Sequence, residues 1–263
     1  MGVRAMWKAE LQVGSHAIPV KLYAAIDDRK VHFRLLDEAT QAPVVQQMVD
    51  AATDEPLVEG KPQKGIQLDE GVFVVLTPDE LVALEPQESR SIDIERFVPT
   101  SAVSDTWYER PYWLGPDGNE AAYFALVQAL AEADRVGIAH WVMRKHRYQG
   151  ALRVNGQHLM LVRLRHTEEV VPASALTAPT GRAADPREVA LAEQLVAALE
   201  GPFDPSELEG TYQERVRELV LAKAAGKVVS IKQARAKKVP KGSLASALEA
   251  SLKQVGRAGG ARG

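Results

Sequence analysis

Between Val31 and Leu35 apolar residues alternate with His32 and Arg34, which is the two-residue period of a half-buried strand. The run Val72-Phe-Val-Val-Leu-Thr77 is short and apolar, Ile92 and Ile94 alternate with Asp93 and Glu95, and segments 136–143, 146–153 and 158–166 read the same way. Many short strands at close spacing predict a mainly β region over residues 1–170. Two helices interrupt it. Thr77-Pro78-Asp79-Glu80 supplies an N-cap, a proline at the first helical position and a capping-box glutamate. Asp117-x-x-Glu120 predicts a longer helix ending near Asp134.

After His166 the composition turns to Pro, Ala and Thr, which cannot sustain a strand ladder and predicts a connecting arm over 171–226. Within it, Asp185-Pro186-Arg187-Glu188 caps a helix to about Glu200, with Val189, Ala192, Leu195, Val196 and Leu199 on one face. Gly201-Pro-Phe-Asp-Pro205 breaks it, and a second helix is predicted from Ser206 to about Ala225. The remainder, 227–263, is rich in Lys, Ala and Gly and reads as a basic flexible tail, with a short helix possible over Ser243–Leu252.

The dipeptide Asn155-Gly156 between two strand-like runs signals a hairpin. A three-residue loop with a bulge gives the cleaner faces, pairing Arg147 with Arg165 and Gln149 with Arg163 on one side, Tyr148 with Leu164 and Leu152 with Met160 on the other. Like charges set opposite each other on neighbouring strands repel, so such a face calls for a negatively charged ligand.

Charge sharpens that expectation. The chain of 263 residues has Lys+Arg 32 against Asp+Glu 35, a net −3, but the signs are segregated. From Lys223 onward there are ten Lys/Arg and one acid, net +9, which leaves the first 222 residues at −12. From Val136 to Thr167 there is no acid, while Arg144, Lys145, Arg147, Arg153, Arg163 and Arg165 are present. Two basic elements on an acidic body point to a polyanionic partner.

Catalytic signals are weak. The six histidines show no metal-ligand spacing, and there is no phosphate-binding loop, dinucleotide fingerprint or nucleophile elbow. The acid pairs Asp69-Glu70, Asp79-Glu80 and Asp93/Glu95 read as a turn, a helix N-terminus and the solvent face of a strand. The aromatic pairs Trp107-Tyr108 and Tyr112-Trp113 read as core. The chain has no cysteine, so disulfides and thiolate chemistry are excluded. Its longest uncharged stretch, Val170–Gly181, is 12 residues, against about 20 for a membrane helix. The N-terminus has no apolar leader core, and an uncleaved cytoplasmic, nucleoid-associated protein is expected.

Several segments carry a likeness to a known family. These are Ala5-Met-Trp-Lys8, Pro19-Val-Lys-Leu-Tyr23, His32-Phe-Arg-Leu-Leu36, Val74-Val-Leu-Thr77, Arg90-Ser-Ile-Asp-Ile94, Tyr112-Trp-Leu-Gly-Pro-Asp117, Arg135-Val-Gly-Ile-Ala139, Val142-Met-Arg144, Gly201-Pro-Phe-Asp-Pro205 and Ala222-Lys-Ala-Ala-Gly-Lys227. In that order they span about residues 5–227, and the chain resembles the bacterial Ku proteins. The resemblance implies a mainly β fold with some α: a Ku-like seven-stranded β-barrel with an extended helical C-terminal arm, and a ring-forming dimer that threads a double-stranded DNA end. It implies no enzymatic activity and no cofactor. The implied role lies in nonhomologous end joining: sequence-independent protection of breaks and recruitment of a multifunctional ATP-dependent DNA ligase. A competing reading is a barrel protein that binds RNA or single strands without regard to ends.

Under the resemblance, the DNA-facing residues are Arg144, Lys145, Arg147, Arg163 and Arg165, with tail residues Lys232, Arg235, Lys237, Lys238 and Lys241, and, in second rank, Lys21 and Arg34. The helical hairpin 186–225 is expected to belong to the arm or to the dimer contact. The chain departs from the family pattern where many members place several Arg/Lys, since here the sequence reads Val44-Val-Gln-Gln-Met-Val49. From Asp37 to Glu95 there are 14 acids against three bases. That leaves a homodimer and a heterodimer with a paralogue both open.

Overall fold

A computed structural model of the chain describes residues 3–27, 31–57, 62–178, 180, 181, 183, 185–208, 211–227 and 248–251. Strands β1 (Trp7–Val13), β2 (His16–Ala24), β5 (Ser91–Pro99), β6 (Tyr108–Pro116), β7 (Arg135–Met143), β8 (His146–Asn155) and β9 (His158–Leu164) close into a barrel in the order β1-β2-β6-β9-β8-β7-β5. The expected seven-stranded barrel is therefore present. Every neighbouring pair is antiparallel except β1 and β5, whose parallel pairing closes the ring. Closure removes the unpaired edges that an open sheet leaves.

Alternation decides which side chains fill the barrel. Leu11, Val20, Leu22, Ile92, Leu114, Ala139, Trp141, Leu152, Leu159 and Leu161 point inward and are shut off from water. Trp141 lies across Gly150, where a Cβ would come within 2.6 Å of the indole and 2.7 Å of the Val162 carbonyl. Only glycine fits there.

Helix α2 (Glu120–Ala133) adds Tyr123, Val127 and Leu130 to this core, the spacing of one helical face. The Tyr123 hydroxyl donates to the Leu114 carbonyl and accepts from the Leu159 amide at 2.8 Å, tying the helix to the paired residues Leu114 and Leu159 of β6 and β9. Burial raises the phenol's pKa, so it stays protonated and able to donate.

Helix α1 (Pro78–Ala83) starts with both hydrogen bonds of the capping box between Thr77 and Glu80 in place. The start of α2 differs from expectation: Asn119 is its N-cap, because Asp117 is drawn away by two lysines. Residues 31–35 are not a strand. The bridges nearby, Leu36↔Pro43 and Val49↔Pro56, are isolated and lie beyond it, since an alternating pattern without a partner strand has nothing to pair with. Strands β3 (Lys64–Asp69) and β4 (Val72–Leu76) form a separate two-stranded ribbon.

The chain divides into two compact units, Met1–Arg29 with Arg34–Ala175 and Lys30–Phe33 with Leu176–Gly263. In the second, α3 (Pro186–Leu199) begins under the Asp185 cap, as the sequence predicts. The next helix, α4 (Thr211–Ala224), starts later than Ser206, because Pro205–Glu207 form a 3-10 turn capped by Asp204. Of the helix expected over 243–252, residues 248–251 are described and helical. Among the described residues no helix is long and apolar enough to cross a membrane.

Candidate nucleic-acid interface

The hairpin of β7 and β8 turns through Arg144 and Lys145, with Met143 and His146 as its last pair. Both turn residues have positive φ, 51° and 65°. Two-residue hairpins favour this conformation because it matches the strands' twist, and Asn-Gly satisfies it at little cost. A long side chain there costs about 1–2 kcal/mol per residue. The tip of the hairpin therefore holds two cations against backbone preference.

Arg147 follows on β8, paired with Val142 and exposed on the outer face of the barrel. Arg144 and Arg147 have no ion pair among the described residues. Lys145 reaches the Glu85 carboxylate at 2.8 Å, and that hydrogen bond, with the charge behind it, raises the lysine's pKa.

The β8–β9 hairpin departs from the expected register. Its turn is Gly156-Gln157, with Gly156 at φ +60°, and Asn155 pairs with His158. A positive φ at the first turn position only is where a type II′ turn places glycine. Gly150 now faces Arg163, and Arg165 lies beyond the end of β9, so the expected face pairing Arg147 with Arg165 does not form. A one-residue slip moves every side chain to the other face. Arg163 accordingly falls on the inward side, in line with Leu161 and Leu159. It forms a two-pronged pair with Glu109 and lies 5.4 Å from the Tyr148 ring centre. Partial burial works against its charge, and the Glu109 carboxylate outweighs that. Arg165 donates to the carbonyls of Thr106, at 2.7 Å, and Tyr108. Both side chains are engaged in holding β9 to β6 and its approach.

Lys21 sits on the outer face of β2 opposite Lys8 of β1, and Asp117 bridges the two at 2.6 and 2.9 Å. The hydrogen bond that Lys21 donates to Asp117 raises the Lys21 pKa, and Lys21 and then Lys8 hold the Asp117 carboxyl below the usual range. Arg34 is exposed in the irregular segment before β3. Lys232, Arg235, Lys237, Lys238 and Lys241 lie outside the described residues.

Three further cations belong to this picture. Arg153 lies 5.4 Å from the Tyr108 ring centre on the outer face of β8, and Arg110 lies 5.8 Å from that of Tyr112. Arg90 stands just ahead of β5 and is exposed. Arg153 is visible in the sequence as part of the acid-free stretch; nothing local marks the other two. Asp93 and Glu95 lie at 3.5 and 3.1 Å from the two ring nitrogens of His140. Among the described residues no group of three His, Asp or Glu side chains is placed to hold a metal ion.

A closed seven-stranded barrel carrying a cationic hairpin agrees with what sequence comparison finds. A profile of the Ku70/Ku80 beta-barrel domain matches residues 12–191. The chain belongs to the Ku family. Non-homologous end joining protein Ku 2 of Geotalea uraniireducens (strain Rf4) is 32% identical over 251 residues, spanning 95% of this chain and 98% of that protein. Non-homologous end joining protein Ku of Heliobacterium modesticaldum (strain ATCC 51547 / Ice1) is 33% identical over 97% of this chain and 93% of its own length. The Ku protein of Anaeromyxobacter sp. (strain K) is also 33% identical, over 97% of this chain and 87% of its own. Membership of the Ku family thus extends across nearly the whole chain, beyond the barrel.

Proposed function

We propose that this chain binds double-stranded DNA ends in nonhomologous end joining, as a dimeric ring through which the duplex is threaded, without regard to sequence. The observation that carries the reading is the acid-free stretch 136–167, whose Arg144 and Arg147, at and beside the tip of the β7–β8 hairpin, have no ion pair among the described residues, in a chain whose relatives are named for end joining. Guanidinium groups on a hairpin tip suit phosphate oxygens, and phosphate contacts carry no base information. Lys145 joins them by exchanging Glu85 for a phosphate. The tail lysines 232, 237, 238 and 241 with Arg235 extend the contact, while Arg163 and Arg165 act mainly by fixing the strand that backs the hairpin. Lys21 and Arg34 remain in second rank.

Dimerisation follows from apolar surface that the single chain leaves uncovered. Ile66 and Val74 on one face of the β3–β4 ribbon and Phe73 and Val75 on the other are all exposed. An isolated two-stranded ribbon is marginal in water, and a second copy of this chain, or a paralogue, covers it. Among the described residues there is no constellation for making a phosphodiester bond, so joining calls for a ligase partner, and an ATP-dependent DNA ligase fills that role.

The test is binding to a linear duplex with free ends against the same duplex whose biotinylated ends are blocked by streptavidin beforehand, with the particle mass measured by light scattering. Binding that needs a free end, by a particle of two chains, supports the reading. Equal binding to both duplexes overturns it in favour of an open basic surface.

A further inference from the structure

The barrel is notched at one end of its β1–β5–β7 wall. Strand β5 begins at Ser91, opposite Glu10 of β1, and at Ile92 it meets Trp141 of β7. Trp7, Lys8 and Ala9 on one side, and Val142 and Met143 on the other, run past the start of β5 without a partner from it. A cleft of about 470 Å³ opens in this notch. Its apolar lining is Met6 and Trp7 on the β1 side and Val142 and Met143 on the β7 side, and its charged lining is Arg90, Arg144 and Glu88, the one acid among the lining residues.

The two arginines differ from most cations of the barrel. Lys8, Lys21 and Lys145 each hold a carboxylate, at 2.9, 2.6 and 2.8 Å, and Arg163 holds Glu109. Among the described residues Arg90 and Arg144 have no side-chain hydrogen bond and no ion pair. Two guanidinium groups against one carboxylate leave the cleft with a net charge of +1, the complement of a single phosphodiester. A guanidinium fork suits phosphate oxygens, and an aromatic and thioether wall suits a base of any identity. The volume falls within the range of about 300–1,000 Å³ typical of small-molecule sites.

We infer that this cleft takes one unpaired nucleotide of the DNA end, its phosphate on Arg90 and Arg144 and its base against Met6 and Trp7. The inference rests on the end-binding reading above and adds to it a preference for ends with a single-stranded extension. A duplex alone presents its bases stacked and paired, and cannot fill the apolar wall.

The experiment compares the full chain on a blunt duplex and on the same duplex with a short single-stranded overhang, by fluorescence anisotropy at fixed salt. The overhang is expected to bind about fivefold tighter or more, the scale of one stacked base. Arg90→Ala is expected to abolish that ratio, with any loss of blunt-end affinity shared by both duplexes, Arg90→Lys to keep part of it, and Glu88→Gln to raise it. Equal binding of both duplexes by the intact chain, or a ratio that survives Arg90→Ala, overturns the inference. Tight binding of a free deoxynucleoside monophosphate with no overhang preference also overturns it, assigning the cleft to a metabolite. Loss of blunt-end binding by the intact chain rejects the end-binding reading itself, and this inference with it.

Discussion

In the barrel, Leu11, Leu22, Ile92, Trp141 and Leu161 are all inaccessible to water, whereas on the β3–β4 ribbon Phe73 is 62% exposed and Ile66 58%. The two regions have similar strand-forming residues and opposite fates. The barrel closes on itself and receives α2 as a further element of its core. The ribbon has two strands with apolar side chains on both faces, and those side chains stay exposed. A strand pattern specifies which faces want burial, and only closure or a partner supplies it. The acids follow the same division: 14 of them lie between Asp37 and Glu95, around the ribbon, and none between Val136 and Thr167.

The contrast predicts its own largest effect inside the barrel. Trp141→Ala removes a buried indole that stacks on Tyr148, and is expected to cost about 3–5 kcal/mol in denaturant unfolding. Gly150→Ala, which drives a methyl into the same indole and the Val162 carbonyl, is expected to cost about 1–3 kcal/mol. On the ribbon, Phe73→Asp is expected to leave the barrel's unfolding midpoint unchanged and to shift the particle mass in light scattering toward a single chain. A matching loss of barrel stability would dissolve the distinction between the two regions.

Smaller effects concern charge. Replacing Arg144 and Arg147 with alanine together is expected to weaken DNA binding evenly across sequences and to flatten the salt dependence by about 0.9 per lost phosphate contact. The smallest effect is on pH dependence. Lys21 and Lys8 depress the folded-state pKa of Asp117, so its pairing stabilises the fold above the carboxyl's ordinary pKa and is lost as pH falls through the lowered value. Asp117→Asn is expected to remove that part of the acid sensitivity, measured as the thermal midpoint across an acidic pH series.

The legible parts of this fold are those fixed by neighbours in the chain. The capping box at Thr77, the Asp185 cap and strands β4, β5, β7, β8 and β9 all follow from local pattern. The misread parts depend on distant residues. Asp117 looks like a helix cap until Lys8 and Lys21 claim it, and residues 31–35 alternate like a strand but meet no partner. The turn at Gly156 was one residue from the expected register, enough to carry Arg163 from a basic outer face to a pair with Glu109. The candidate interface was legible as an acid-free stretch, because charge counting needs no geometry. Arg90 was not, since its place beside Arg144 comes from the pairing of β5 with β1 and β7.

The central claim is that DNA is reached through its ends. One duplex prepared in linear and in covalently closed circular form, titrated with the chain in gel shifts over a salt series, tests it most directly. The account predicts complexes on the linear form alone, added stepwise as length increases and weakening steeply with salt; equal binding to the closed circle would contradict it.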